Sequence, residues 1–574
     1  MKSVSLPTIW KILSKEERRT ARLMCLVLTI GVTLEIVSFG ALLPAISILT
    51  EGLSGSRIPV LSSYLGQRDE AFLVSFVVIA LILVFAVKSS YVVWSIWFQR
   101  EFCRRIEHRL AGMALRHYLE KPYVFHADHN SAELVRNVGT ASQFVVLSVD
   151  SLLVLGTDGA VLIALLGVLV VIEPMATAVV LVVLGLLALV FHLSTQERIA
   201  TWGLTRTNLE GRKLQVLQEG FTAIKELKAM ECEDEFASRF DRHLSQSTRI
   251  SRDFTVLSSL PRVWLEFLAF AGLGILLITL TADGRTIGQS LPELAVFTAS
   301  AFRLLPTLNR IIFAFQNLRF GQAATEILIE ISTTTPQSLS EGEAPAIQGL
   351  VEFKNVTFQY PQALHPTLVD VSFQLPSGAM IGVSGESGSG KSTIACLLLG
   401  LLNPTIGEVI VGGVNIRKPV GRAIGYVPQS VYLIDDTIRK NVAFGVPDNL
   451  IDDSKVLRAL SKANILSLVS DKPDGLDFCV GENGSRLSGG QCQRIGIARA
   501  MYADPAIIVL DEATSALDTI SANQLLKELR AMNGTKTLVI ISHDRFVLSC
   551  CDDVINLANG TIASKGLQVS NKSQ

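Results

Sequence analysis

The string GESGSGKS at 385–392 has the spacing GxxxxGK[ST], and its residue types suit phosphate binding. Gly385, Glu386, Ser387, Gly388, Ser389 and Gly390 form a loop whose backbone amides converge on an anion. Lys391 then reaches toward β- and γ-phosphate oxygens, and the Ser392 hydroxyl suits Mg²⁺. Downstream, AIIVLDEA is a buried-strand run ending in Asp511 and Glu512. A carboxylate at such a strand tip positions Mg²⁺, and its neighbour polarises an attacking water. The plainer alternative is a strand followed by a solvated acidic turn. A third string, RLSGGQCQR at 486–494, sets Ser488, Gly489 and Gly490 just before a helix, a second anion-binding helix start.

These groups need elements to hold them. AMIGVS before the glycine loop reads as a strand and TIACLLLGLL after it as a helix, the setting in which such a loop binds phosphate. From residue 350 to 574 short β-rich runs alternate with helical ones, which reads as an α/β domain. Residues 331–349 are rich in Pro, Ser, Thr and Glu and read as a linker. Residues 1–330 are different in kind. Six apolar segments, at 23–49, 71–98, 144–172, 175–193, 256–281 and 294–315, are each long enough to cross a hydrocarbon core of about 30 Å. Glu173-Pro174 makes a minimal turn between the third and fourth.

Composition agrees with a membrane part joined to a water-soluble part. Of 574 residues, 49 % are hydrophobic and 18 % charged, against about 25 % charged in ordinary soluble proteins. The net charge of −1 gives no sign of a nucleic-acid partner. The eight cysteines form no CxxC pair, so neither a zinc site nor a disulfide framework is expected. The basic N-terminal stretch runs into a full-length apolar segment with no small-residue cleavage site, unlike a signal peptide. Arg and Lys crowd the N-terminal side and the second-to-third and fourth-to-fifth connections, whereas the opposite loops hold only Arg57, Arg68 and Arg285. Both termini are therefore expected on the cytoplasmic side. In those connections HNSAELVRNV opens like a capping box on Asn130 and Glu133. In LQEGFTAIKELKAM, Leu217, Phe221, Ile224 and Leu227 share one helical face, either packed or docked on the α/β domain.

With these strings in place, residues 350–574 resemble the ATPase domain of an ABC transporter, because Leu487-Ser488-Gly489-Gly490-Gln491 matches that family's LSGGQ signature. The resemblance implies ATP and Mg²⁺ as cofactors, held by Gly385 through Lys391, Ser392 and Thr393. It implies Tyr360 as the aromatic stacked on adenine and Gln429 as the glutamine that senses Mg²⁺. It implies Glu512 as general base, Asp511 as a metal carboxylate, His543 as the γ-phosphate switch and Ser515-Ala516-Leu517-Asp518 as the D-loop. Two such domains would sandwich two ATP molecules, each glycine loop facing Ser488, Gly489, Gly490 and Gln491 of the other copy, so a homodimer is expected. One position departs from the family, since Asn483 in Glu482-Asn483-Gly484 stands where an arginine is usual.

The whole chain resembles an ABC half-exporter, an α-helical six-span transmembrane domain followed by an α/β P-loop NTPase domain. In that family KPYVFHADHN and LQEGFTAIKEL match coupling helices. Charged residues inside the spans, Glu35, Lys88, Asp150, Asp158, Arg262, Glu266, Arg303 and Arg310, point to what is moved. Lys88, Arg303 and Arg310 lining one cavity would suit an anionic lipid-linked substrate. The alternative for Lys88 is a pair with Glu35, because both lie 12–13 residues in from the cytoplasmic ends of their spans. The basic N-terminus, the first span and RIPVLSSYLG resemble PglK-like flippases of lipid-linked oligosaccharides. That implies an ATP-driven flippase of the bacterial inner membrane. A lipid A, phospholipid or peptide exporter and an ATP-gated channel stand as alternatives. Six spans exclude a soluble ATPase acting on ribosomes or DNA.

Overall fold

A chain crossing hydrocarbon must satisfy its backbone amides internally, and unbroken apolar runs do so as helices. The computed structural model describes residues 10, 12–40, 70–172, 174–282, 287–333, 349–514, 519–532 and 534–565. Its first part is helical throughout: α1 (Lys15–Gly40), α2 (Glu70–Leu119), α3 (Tyr123–Asp128), α4 (Ser131–Ile172), α5 (Pro174–Thr222), α6 (Ile224–Met230), α7 (Glu233–Ala282), α8 (Ile287–Phe320) and α9 (Gln322–Thr333). α2, α5 and α7 contain 50, 49 and 50 residues. Each is therefore about 75 Å long, far more than the membrane core needs, so these helices continue beyond it as the basic flanks indicated. Among the described residues, Lys15–Ser38, Ser75–Leu119, Ser131–Gly167 and Glu233–Ala271 are long and apolar enough to cross a membrane. The segments 175–193 and 294–315 fall within α5 and α8. RIPVLSSYLG lies outside the described residues, as does Glu173, and α9 runs three residues into the expected linker.

Two local expectations meet different outcomes. Asn130 does cap α4, its Oδ1 accepting the Ala132 amide at 2.9 Å, while Glu133 turns to Arg136 instead of closing the box. The stripe from Leu217 to Leu227 is interrupted, and most of it is exposed within this chain. The helix breaks at Ala223, Phe221 is 74 % exposed, and only Leu227 of the four is buried.

The intramembrane charges are paired. Lys88 Nζ lies 2.9 Å from Glu35 Oε2, both nearly buried. Arg310 grips Asp158 with two hydrogen bonds of 2.7 and 2.9 Å. Arg100 meets Asp150 at 3.2 Å and Arg262 meets Glu266 at 2.9 Å. The side chain of Arg303 lies outside the described residues.

The chain divides into two compact units, residues Met1–Lys121 with His126–Ser338, and Leu339–Gln574 with the short stretch Pro122–Phe125. The second unit carries two sheets. Strands β1 (Val351–Phe358), β2 (Leu368–Leu375), β4 (Ile406–Val411) and β5 (Val414–Asn415) pair antiparallel in the order β2-β1-β4-β5, with Phe353 stacked on its cross-strand partner Phe373. The larger sheet has the order β10-β9-β3-β8-β7-β6, from β3 (Met380–Gly385), β6 (Ile424–Val427), β7 (Ile507–Asp511), β8 (Thr537–Ile541), β9 (Asp553–Ala558) and β10 (Thr561–Lys565). Only β10 runs antiparallel there.

β7 and β8 are buried along their whole length, as continuous apolar runs in a doubly covered parallel sheet should be. Their alternate residues serve separate cores. Ile507, Val509 and Val539 pack with the antiparallel sheet and α10 (Lys391–Leu398). Ile508, Leu510 and Leu538 pack with α11 (Ile438–Val442), α12 (Asp453–Lys462), α13 (Leu466–Ser470) and α14 (Gly489–Met501). The unit is completed by α15 (Thr519–Ala531) and α16 (Arg545–Ser549).

Candidate functional site

Parallel strands all end at one edge of a sheet, and that edge is where ligands bind in such folds. Here β3, β8, β7 and β6 are successive neighbours, each about 4.8 Å from the next. Each carries a candidate group just past its carboxyl end: the glycine loop after β3, His543 after β8, Asp511 and Glu512 at the tip of β7, and Gln429 after β6. Residues up to 158 positions apart in sequence are thus brought into one row by topology alone.

Gly390 opens α10 with φ +102°, and a Cβ there would come within 2.6 Å of Leu368 Cδ2. A Cβ on Gly385 would meet the Leu557 carbonyl and Ser389 Oγ, both at 2.5 Å. The loop is therefore closed to side chains at these two points, which leaves its amides to form the cradle. Lys391 Nζ donates to the carbonyls of Gly385 and Glu386 at 2.9 and 2.8 Å, which folds it back over the loop. Ser389 Oγ is buried without a hydrogen-bond partner. An unpaired hydroxyl in a ring of amides fits a phosphate-bearing ligand, and the donor set suits one at this position.

At the end of β7, Asp511 is buried and accepts a hydrogen bond from Ser392. Burial pushes its carboxyl above the usual range, against the lowering pull of Ser392 and, more weakly, Lys391. Ser392 and Asp511 supply the hard oxygen donors that Mg²⁺ prefers. Glu512 stands at φ +48° with its amide bonded to the Ile541 carbonyl at 2.9 Å. Its two oxygens are both engaged: Gln429 Nε2 donates to Oε2 at 2.7 Å, and His543 Nδ1 lies 3.3 Å from Oε1. Tyr360 packs edge-on against Phe358, and its hydroxyl lies 3.4 Å from Thr393 Oγ1, so it stands beside the first turn of α10.

Ser488, Gly489, Gly490 and Gln491 stand apart from this row. Ser488 caps α14, its Oγ accepting the Gln491 amide at 3.3 Å while Gln491 Oε1 accepts the Ser488 amide at 2.9 Å. The signature is thus a complete capping box, which the S-x-x-Q spacing already contained and the reading as a bare Ser-Gly-Gly turn overlooked. Among the described residues no hydrogen bond ties these four to the glycine loop. Asn483 takes φ +51°, a left-handed conformation that asparagine adopts far more readily than arginine. Residues 515–518, the D-loop match, lie outside the described residues.

A glycine loop, a strand-tip acid pair and a flanking Gln and His, in a chain whose other unit is built of helices long and apolar enough to cross a membrane, define a membrane-attached P-loop ATPase. Residues 33–297 match the family described as ABC transporter transmembrane region, and residues 368–515 match the family described as ABC transporter. Among curated relatives, an ATP-dependent lipid A-core flippase of Cupriavidus metallidurans is 30 % identical over 78 % of this chain and 76 % of its own length. Another of the same name, from Burkholderia orbicola, is 34 % identical over 58 % of this chain and 56 % of its own. A solved structure of a bacterial Atm1-family ABC exporter with ATP bound superimposes with a TM-score of 0.75, covering 96 % of this chain and 95 % of that one at 23 % identity. The chain belongs to the ABC transporters, with a membrane domain fused to an ATPase domain, and is an integral membrane protein that hydrolyses ATP to drive transport.

Proposed function

We propose that this chain is an outward-directed lipid flippase of the lipid A-core type, acting as a homodimer in the bacterial inner membrane. On this reading it has six spans and both termini in the cytoplasm, with residues 1–330 as membrane domain, 331–349 as linker and 350–574 as ATPase. The observation that carries the substrate class is the name shared by relatives aligned over most of the chain's length. It favours the lipid A alternative over a lipid-linked oligosaccharide. The pairing of Lys88 with Glu35 and of Arg310 with Asp158 does not separate the two, since both head groups carry phosphate and either must displace a carboxylate to meet those cations.

In the ATPase unit, the bound nucleotide supplies the phosphoanhydride whose cleavage drives transport. Gly385 through Gly390 present amides to its phosphates, Lys391 neutralises them, and Ser392, Gln429 and Asp511 hold Mg²⁺. Tyr360 stacks on the base. Glu512, its oxygens fixed by Gln429 and His543, accepts the proton of the attacking water. The signature residues, unattached to this row in their own chain, complete the site of the second copy.

The test is reconstitution in proteoliposomes with labelled lipid A-core, lipid-linked oligosaccharide and a peptide offered separately. ATP-dependent movement of the lipid A-core alone is expected. Movement of the oligosaccharide or peptide in its place, or current in planar bilayers, overturns the assignment.

A further inference from the structure

In the ATPase unit, residues 428–433 lead from the end of β6 toward α11, carry Gln429, and belong to no helix or strand. Backbone outside a ladder is held by whatever side chains reach it. Among the described residues, the backbone of this stretch takes part in one hydrogen bond, which Arg499 Nη1 donates to the Tyr432 carbonyl at 2.9 Å. Gln429 stands three residues before that carbonyl, and its Nε2 donates to Glu512 Oε2 at 2.7 Å.

Arg499 holds this point from a rigid base. It lies on α14, whose Ile495, Ile497, Ala498 and Met501 are buried in the core. Each of its guanidinium nitrogens finds a different partner: Nη1 the Tyr432 carbonyl, Nε the Asn441 carbonyl at 2.9 Å, and Nη2 the Asn441 Oδ1 at 3.2 Å. The guanidinium also lies over the Phe444 ring, 4.6 Å from its centroid. Asn441 is itself buried and bonds both the amide and the carbonyl of Ile434, so the residues that follow are braced as well. On the near side, a Cβ on Gly496 of α14 would come within 2.5 Å of Val431 Cγ2, so the loop is pressed directly against the helix. Among the described residues no carboxylate pairs with Arg499, and burial pulls its pKa down to about 10, which leaves it charged at neutral pH. A guanidinium placed among carbonyls without an acid gains no ion pair. What it supplies is a fixed planar fork, which a lysine does not reproduce.

We propose that Arg499 is a positioning residue for Gln429, bracing the 428–433 loop on α14 so that the Gln429 amide is already placed when Mg²⁺ arrives with nucleotide. Arg499 touches neither nucleotide nor metal and acts through the loop alone. A loose loop loses conformational freedom each time it closes on a ligand, whereas a braced loop has lost it on folding. The brace therefore shows in the affinity gained from Mg²⁺, and leaves the affinity for nucleotide alone untouched. This deepens the reading of Gln429 as a holder of Mg²⁺ and rests on it.

The probe is N-methylanthraniloyl AMP-PNP, a fluorescent nucleotide that is not hydrolysed, titrated into full-length protein in nanodiscs with Mg²⁺ and again with EDTA. The ratio of the two dissociation constants isolates the contribution of the metal. Arg499→Gln should shrink that ratio about tenfold, the worth of a hydrogen bond to a charged group, with affinity in EDTA unchanged. Arg499→Lys, which keeps the charge and loses the fork, should recover part of the loss. Phe444→Leu removes the ring beneath the guanidinium at a half-exposed position and should shrink the ratio about threefold. If the brace acts through Gln429, adding Arg499→Gln to Gln429→Ala changes nothing further. A merely structural loss lowers the amount of binding-competent protein with and without Mg²⁺ alike and leaves the ratio where it was. An unchanged ratio in Arg499→Gln, or effects that add to those of Gln429→Ala, therefore overturns the proposal. Should Arg499→Gln fail to fold, Arg499→Lys and Phe444→Leu carry the same comparison, and a parental ratio in both overturns it. If Gln429→Ala alone leaves the ratio unchanged, the metal reading of Gln429 falls and the brace with it. If Gln429→Ala shrinks the ratio and the Arg499 variants do not, only the brace falls.

Discussion

Replacing Lys88 by Met separates an ion pair that holds helices together from a cation reserved for substrate. Lys88 and Glu35 side chains are 13 % and 6 % exposed and lie 2.9 Å apart, joining α2 to α1. Removing the lysine takes from Glu35 its partner at 2.9 Å, and breaking a buried pair typically costs about 3–5 kcal/mol. Arg310 lies close enough for its charge to interact with Glu35, so the lower end of that range is expected. Glu35→Leu alone strands the ammonium at a similar cost. The double variant strands neither, and replacing a buried pair by apolar side chains is often neutral or stabilising. Thermal unfolding of detergent-purified protein reads the cycle. A shift of about 2–4 °C per kcal/mol applies to domains of 150–250 residues and shrinks with size, so each single variant should lose on the order of 5 °C. The double variant should return to within about 2 °C of the parent. If Lys88→Met leaves the unfolding temperature unchanged while transport falls, the pair is incidental and Lys88 serves the substrate.

Glu512→Gln keeps the side-chain volume and leaves the amide bond to Ile541 in place, so MgATP should still raise the unfolding temperature while hydrolysis drops about 10²–10⁴-fold. Retained hydrolysis removes Glu512 as the proton acceptor. Asp511→Asn should raise the melting temperature of the nucleotide-free ATPase unit and abolish Mg²⁺-dependent turnover. The sign follows from its raised folded-state pKa: the carboxyl favours folding below its unfolded pKa, and that benefit is lost as pH rises through the folded value. A lower melting temperature at neutral pH would contradict this. Asp504 behaves oppositely, since hydrogen bonds from Lys536 and Lys462 hold it at about 2. Its stabilisation is present above about pH 4 and is lost as pH falls toward 2. Because the carboxylate is 70 % exposed, the effect should stay below about 1 kcal/mol, and Asp504→Asn should flatten the acid limb of a pH–stability curve. Gly390→Ala should weaken ATP binding and cost at least about 1–2 kcal/mol, because it forces an L residue into φ +102° against Leu368; unchanged binding would show that the loop relaxes.

The nucleotide row was legible because its chemistry is written in short local strings and its assembly follows from strand order. GESGSGKS, LDEA, YVPQ and ISHD each sit at the carboxyl end of a parallel strand, so placing one places the others. The bundle was harder to read for a related reason. Whether Arg310 meets Asp158 depends on how α4 and α8 are rotated against each other, and no local string records that phase. Lys88 and Glu35 could be matched by depth alone, because depth is a count along the chain. Periodicity assumes an unbroken helix, so the interruption at Ala223 in the stripe from Leu217 to Leu227 was not legible.

The paired charges also constrain how an anionic lipid is handled. A carboxylate already seated on Lys88 or Arg310 must be exchanged for the incoming phosphate, and exchange inside a low-dielectric bundle is worthwhile only if the displaced acid finds a new donor. Glu35 feels the charge of Arg310 as well as that of Lys88. Asp158 has both its oxygens committed to Arg310. A shift of Glu35 toward Arg310 would release Lys88 without stranding a charge, whereas releasing Arg310 leaves Asp158 alone. Of the two described intramembrane cations expected to meet substrate, Lys88 is therefore the one that can change partners at lower cost.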